Sequence, residues 1–225
     1  MPLAGGAFAF GAPFRVACPY TTNGVTAKIE VGFASDTNRV LPLVLRQFGT
    51  RVSTEMSLSD FIPSKDVKRT APALGIDNVV VVTDTENTKI LFLFPKLSRF
   101  VEVEPPADLA DAVRQTSRVH FDKVNLGTEW IDGVWCAKTR FRDSASPRVS
   151  GVMWQRFDLH DFPVKVELSS KGDVMKIVTK SVDFSKPPLT YFEAPQGFKQ
   201  CTNFPDLMLF AKKSLNERAP GAFSQ

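Results

Sequence analysis

Histidine and cysteine are scarce in this chain, and their scarcity removes most catalytic and metal chemistry from consideration. Among 225 residues the only imidazoles are His120 and His160, and the only thiols are Cys18, Cys136 and Cys201. The cysteines lie far apart with no C-x-x-C spacing, so no metal site is expected. Two readings of them stay open: three buried thiols, or one disulfide plus a free thiol. If a bridge forms, Cys136–Cys201 is the preferred pair, because it would tie the C-terminal segment to a sheet. Also missing are G-x-S-x-G, H-E-x-x-H, a Walker loop and a G-x-G-x-x-G following a strand, so no catalytic residue and no cofactor are expected. No stretch approaches the ~18 apolar residues of a membrane-spanning helix. Charge of one sign is missing too: 28 basic residues stand against 24 acidic ones, scattered along the chain. That distribution gives no nucleic-acid footprint, although a net +4 is compatible with weak attraction to an anionic membrane surface.

What the chain does have is phenylalanine, 19 residues against 2 tyrosines. Phe supplies apolar area without a polar handle, which suits either a dry core or a greasy ligand cavity. Period-two alternation dominates the pattern. Val25, Ala27, Ile29, Val31 and Phe33 alternate with Thr26, Lys28, Glu30 and Gly32; Val52, Thr54, Met56 and Leu58 alternate with Arg51, Ser53, Glu55 and Ser57; Val164, Val166 and Leu168 alternate with Lys165 and Glu167. Each such run puts one face on a core and one toward water. Turn residues join the runs: Gly49-Thr50, Thr85–Thr88, Asp132-Gly133 and Lys171-Gly172-Asp173. Hairpin after hairpin predicts an antiparallel meander. The segments Val79–Val82 and Ile90–Phe94 are apolar at every position, so both faces of the sheet are expected to be covered there.

Helices are few. The pattern predicts one over Pro105–Gln115 and one over 205–218, the latter with Leu207, Phe210, Ala211 and Leu215 on one stripe. Residues 60–76, punctuated by Pro and Lys, read as a loop. Residues 1–17 read as a flexible apolar tail carrying Phe8, Phe10 and Phe14, candidate partner-binding residues, and 219–225 as a second tail. Between them 18–218 reads as one domain, with no internal repeat and no linker. The N-terminus lacks a basic segment ahead of its apolar run and Arg15-Val16-Ala17 fails as a lipobox, so it reads as the start of a trimmed mature chain. Two arrangements suggest acid–base chemistry: His160 with Asp158 or Asp161, and Glu55 with Glu129 paired across strands. A solvated turn and exposed strand positions explain both more simply.

The segment Gly127-Thr128-Glu129-Trp130-Ile131-Asp132-Gly133-Val134-Trp135-Cys136-Ala137-Lys138 resembles the G-x-E-x-I-x-G-x-x-C-x-K hairpin of an uncharacterised exported family within the LolA-like (outer-membrane lipoprotein carrier) superfamily. Order supports the resemblance. Arg51–Met56 is similar to that family's R-x-x-x-E-M strand; Trp154, Asp158-Leu159 and Phe162–Glu167 resemble its W…D-L…F-P-x-K-x-E stretch; Phe192–Phe198 is similar to its closing F-x-x-P-x-G-[FY] element. The N-terminal tail and the C-terminal helix have no counterpart in it. The resemblance implies a mainly β (α+β) fold, a curved antiparallel meander forming a half-open barrel with a few packed helices. It also implies an exported, periplasmic chain whose hollow takes a lipid or other hydrophobic ligand. The expected lining is Ile29, Val31, Phe33, Val52 and Met56, with Leu91 or Leu93. An accessory subunit docking a protein partner at the membrane is the other reading.

Overall fold

A computed structural model describes residues 24–62, 64–84, 89–104, 121–143, 149–170 and 173–218. The expected tails, Cys18, His120 and the helix expected over 105–115 lie outside these. In chain order the elements are β1 (Val25–Phe33), β2 (Asp36–Phe48), β3 (Arg51–Ser57), α1 (Leu58–Phe61), α2 (Lys65–Leu74), β4 (Asn78–Asp84), β5 (Ile90–Phe94) and β6 (Arg99–Val103). They continue with β7 (Phe121–Ile131), β8 (Val134–Asp143), β9 (Val149–Arg156), β10 (Phe162–Ser170), β11 (Asp173–Asp183), β12 (Lys199–Cys201) and α3 (Phe204–Arg218).

Among the described residues twelve strands join one open, curved sheet in the order β12-β6-β5-β4-β3-β2-β1-β11-β10-β9-β8-β7. It consists of two meanders. The first runs β1 to β6 toward one edge, and the second starts at the other edge with β7 and returns to β11, which closes antiparallel on β1. The antiparallel expectation needs one correction: β12 pairs parallel with β6, because the chain reaches it by a long connection rather than a hairpin. Hairpin chemistry works as the residues dictate. Asp132 and Gly133 both hold positive φ, 47° and 83°, the geometry of a type I′ turn whose twist matches its strands.

The alternation resolves into an inner and an outer face. On β1 the inner positions Val25, Ala27, Ile29 and Val31 are at most 3% exposed, and Leu41, Leu43 and Leu45 on β2 continue the wall. One apolar cluster reaches from Val101 on β6 across to Phe141 on β8. Covering it are helices, including one in a segment whose sequence reads as loop. Residues 65–74 form α2, which buries Ala71 and Leu74 despite Pro72 near its end. Leu207 and Ala211 of α3 enter the same cluster. Asn203 caps α3, its side-chain oxygen accepting from the Asp206 N–H at 2.8 Å. Among the described residues no helix is long and apolar enough to cross a membrane.

Candidate functional site

Of the lining residues expected from sequence, Ile29, Val31, Val52 and Met56 face inward and are buried, and Phe33 packs on the same cluster. Leu91 and Leu93 do not. Strand β5 is apolar at every position, so its sequence cannot say which side faces in. The structure turns Ile90, Phe92 and Phe94 inward and puts Leu91 and Leu93 outward. There they join a second, smaller cluster with Val82, Phe100, Phe192 and Phe198, laid over the outer face by the chain around the 3₁₀ turn Leu189–Phe192. Both faces are covered at this point, as their composition requires.

The helical cover is parted by a groove. A hollow of about 660 Å³ opens between α2 and α3, lined by Arg69, Thr70, Ala73, Leu74, Lys212, Leu215 and Asn216. Its charged lining residues are both cationic, and Leu74 and Leu215 connect it to the inner apolar cluster. The volume is in the range of small-molecule sites.

A polar cluster that sequence reasoning treats only as turn and strand grammar forms on the outer face. Trp154, 3% exposed on β9, is flanked by the ammonium groups of Lys165 and Lys138, 4.0 and 5.1 Å from its ring centre. Its indole N–H donates to Glu129 Oε2 at 3.0 Å, and Lys138 Nζ donates to the same oxygen at 2.6 Å. The Lys138 hydrogen bond, then that from Trp154, holds the Glu129 carboxyl below the usual carboxylate range. The motif residues Glu129, Lys138, Trp154 and Lys165 are therefore contact partners. Their registers, Lys138 opposite Trp154 and Trp154 opposite Lys165, are recoverable only with strand pairing in hand. Beside them a hollow of about 610 Å³ is rimmed by Arg156, Lys165, Lys176, Lys180, Glu30 and Asp132. Three of its cations are occupied: Arg156 by Asp158, Lys165 by Glu167 and Lys180 by Glu30.

The structure engages Asp158 elsewhere and parts Glu55 from Glu129. Asp158 is turned to Arg156, while His160 holds a left-handed turn conformation and sits edge-on to Phe184. Glu55 bonds Arg46 on the neighbouring strand and Glu129 bonds Lys138 at the far end of the sheet, so they never meet. Among the described residues no group of three or more His, Cys, Asp or Glu could hold a metal ion.

The disulfide expectation is corrected as well. Cys136 lies on β8 and Cys201 on β12, near opposite edges of the sheet, and both thiols are buried and free. Burial pushes both above the ordinary thiol range. In a Cys18→Ser chain neither remaining thiol is expected to react with a maleimide under native conditions, and both should react once denatured, which intact mass spectrometry would read. Native labelling of either would contradict this placement.

No family model matches the chain, and no curated protein matches it. Solved structures do. An uncharacterized conserved protein from Thermus thermophilus is 9% identical, with 87% of this chain and 99% of that one covered at a TM-score of 0.49. The MucA/MucB complex of Pseudomonas aeruginosa matches at 10% identity over 87% of this chain, which spans 64% of that one, at 0.45. A LolA superfamily protein from Nitrosomonas europaea matches at 11% identity, 81% and 94% coverage and 0.32. The likeness concerns fold, and the roles of individual residues rest on the geometry above.

Proposed function

We propose that the chain is an exported, periplasmic, non-catalytic binding protein that takes a lipid-like or other hydrophobic ligand against the inner wall of its sheet. Ile29, Val31, Phe33, Val52 and Met56 would form the contact surface. The observation that carries this reading is the continuity of the apolar cluster from the inner wall to the floor of the α2–α3 groove through Leu74 and Leu215. A helical cover parted at that point gives an apolar ligand a way in, with no reacting group required along it. Burial alone supplies roughly 0.8 kcal/mol per CH₂ of an acyl chain. Native mass spectrometry after gentle purification, with uptake of a fluorescent fatty acid, tests it. A bound mass of lipid size and saturable uptake are expected; absence of both would overturn the reading.

The second reading, an accessory subunit docking a protein partner at the membrane, is favoured by a different observation. At one end of the sheet Trp130 and Trp135 are 55% and 54% exposed and stack edge to face at 5.1 Å. Just past the end of the next strand, Phe157 opens a 3₁₀ turn and is 57% exposed, one residue beyond the Cys136–Arg156 pair. Exposed aromatics grouped in this way are uncommon on a surface without a partner. Phe8, Phe10 and Phe14 belong to the same proposal. Deleting residues 1–17 and, separately, making Trp135→Ser distinguishes the two elements by which of them changes the captured partners.

A further inference from the structure

We infer that Gln47 is the polar reader of the inner wall, so that the ligand is an acyl-chain molecule carrying a hydrogen-bond acceptor, an ester or amide carbonyl, rather than a plain hydrocarbon. This rests on the binding reading above and specifies its ligand. Strand β2 puts Gln47 on the inner face, opposite Val25 on β1 and Val52 on β3. Along its own strand the previous inner position is Leu45. In this apolar setting Gln47 is only 2% exposed, and its Nε2 has no hydrogen-bond partner.

A buried amide donor left unpaired is unfavourable, since water lost on folding is not replaced. Were this wall only a filled core, an apolar side chain of the same shape would serve it better. Two other buried polar atoms are unpartnered among the described residues, Ser53 Oγ and Arg39 Nε. Neither is comparable. Ser53 lies on the opposite face of β3 from Val52, and the Arg39 guanidinium already donates through its other nitrogen to the carbonyls of Asp60 and Phe61. Among the described residues, Gln47 Nε2 is the fully buried, unpartnered donor that lies on the inner wall. A carbonyl in a low-dielectric site would accept from it strongly, while a hydrocarbon would leave it unmet.

The test compares methyl laurate with n-tridecane, chains of similar length with and without a carbonyl, by displacement of N-phenylnaphthylamine from the full chain. The wild type is expected to favour the ester about tenfold, and Gln47→Met, which keeps the shape and removes the donor, to lose that preference while still binding tridecane. The same substitution should raise the thermal midpoint of the unliganded protein by roughly 2–6 °C. Equal affinity of the wild type for both probes, preference retained in Gln47→Met, or a lowered midpoint would each overturn the role of Gln47 and leave the hollow reading intact. If neither probe displaces the dye, the hollow reading falls and this inference with it.

Discussion

Gly151→Ala is expected to destabilise the protein by about 3 kcal/mol, at the upper end of overpacking effects, and so to lower the thermal midpoint by roughly 6–12 °C. Gly151 lies on β9 between Phe141 on β8 and Leu168 on β10. A Cβ added there would come within 2.3 Å of the Glu167 carbonyl oxygen and 2.6 Å of the Phe141 ring. The ring could turn aside, but the carbonyl belongs to a paired strand and cannot retreat. The absent side chain is what lets Phe141, 1% exposed, lie over bare backbone and meet Phe121 edge-on at 5.3 Å. A double-mutant cycle with Phe141→Leu separates the two clashes. It should recover the part due to the ring and leave the part due to the carbonyl. A neutral Gly151→Ala in thermal or denaturant unfolding would mean that the β8–β10 spacing is looser than described.

Nothing in the local sequence Ser150-Gly151-Val152 announces this, and the reason is general to the molecule. Alternation along one strand states which residues share a face, so Val25 to Val31 and Val52 to Met56 group together from sequence, and both groups do face the core. It cannot state which strands are neighbours. The closure of β11 on β1, the parallel β12 and the meeting of Glu129, Lys138, Trp154 and Lys165 are facts of pairing, and their residues are spread over more than 35 positions of sequence. Where a strand is apolar on both sides the face itself is lost, hence the misplaced Leu91 and Leu93. The α2 segment is obscured differently. Its Val67, Ala71 and Leu74 follow helical spacing, but Pro72 falls within the run, where a proline has no N–H for the residue four before it and so argues against a helix. Gln47 is legible as a residue and not as a site. Only its burial, together with the pairing partners Val25 and Val52, shows a polar group on an apolar wall.

The outer face answers to a second large effect. Trp154→Ala should cost about 3–5 kcal/mol, the range for deleting a buried indole, and it would strip two lysines of their stacking surface and Glu129 of one donor. Trp154→Phe should cost less, because the ring face remains for Lys138 and Lys165 while only the N–H to Glu129 is lost. Acid titration then separates the carboxylate from the packing. The folded protein holds Glu129 below the ordinary carboxylate range, so its contribution is complete at pH values above that range and disappears as pH falls through the lowered value. Unfolding curves of the wild type should therefore decline across that acid interval more steeply than those of Glu129→Gln, in which the titrating group is gone. Trp154→Phe should keep part of the slope, since Lys138 still donates to the carboxylate. Parallel acid profiles for the wild type and Glu129→Gln would show that the cluster is held by stacking on Trp154 alone.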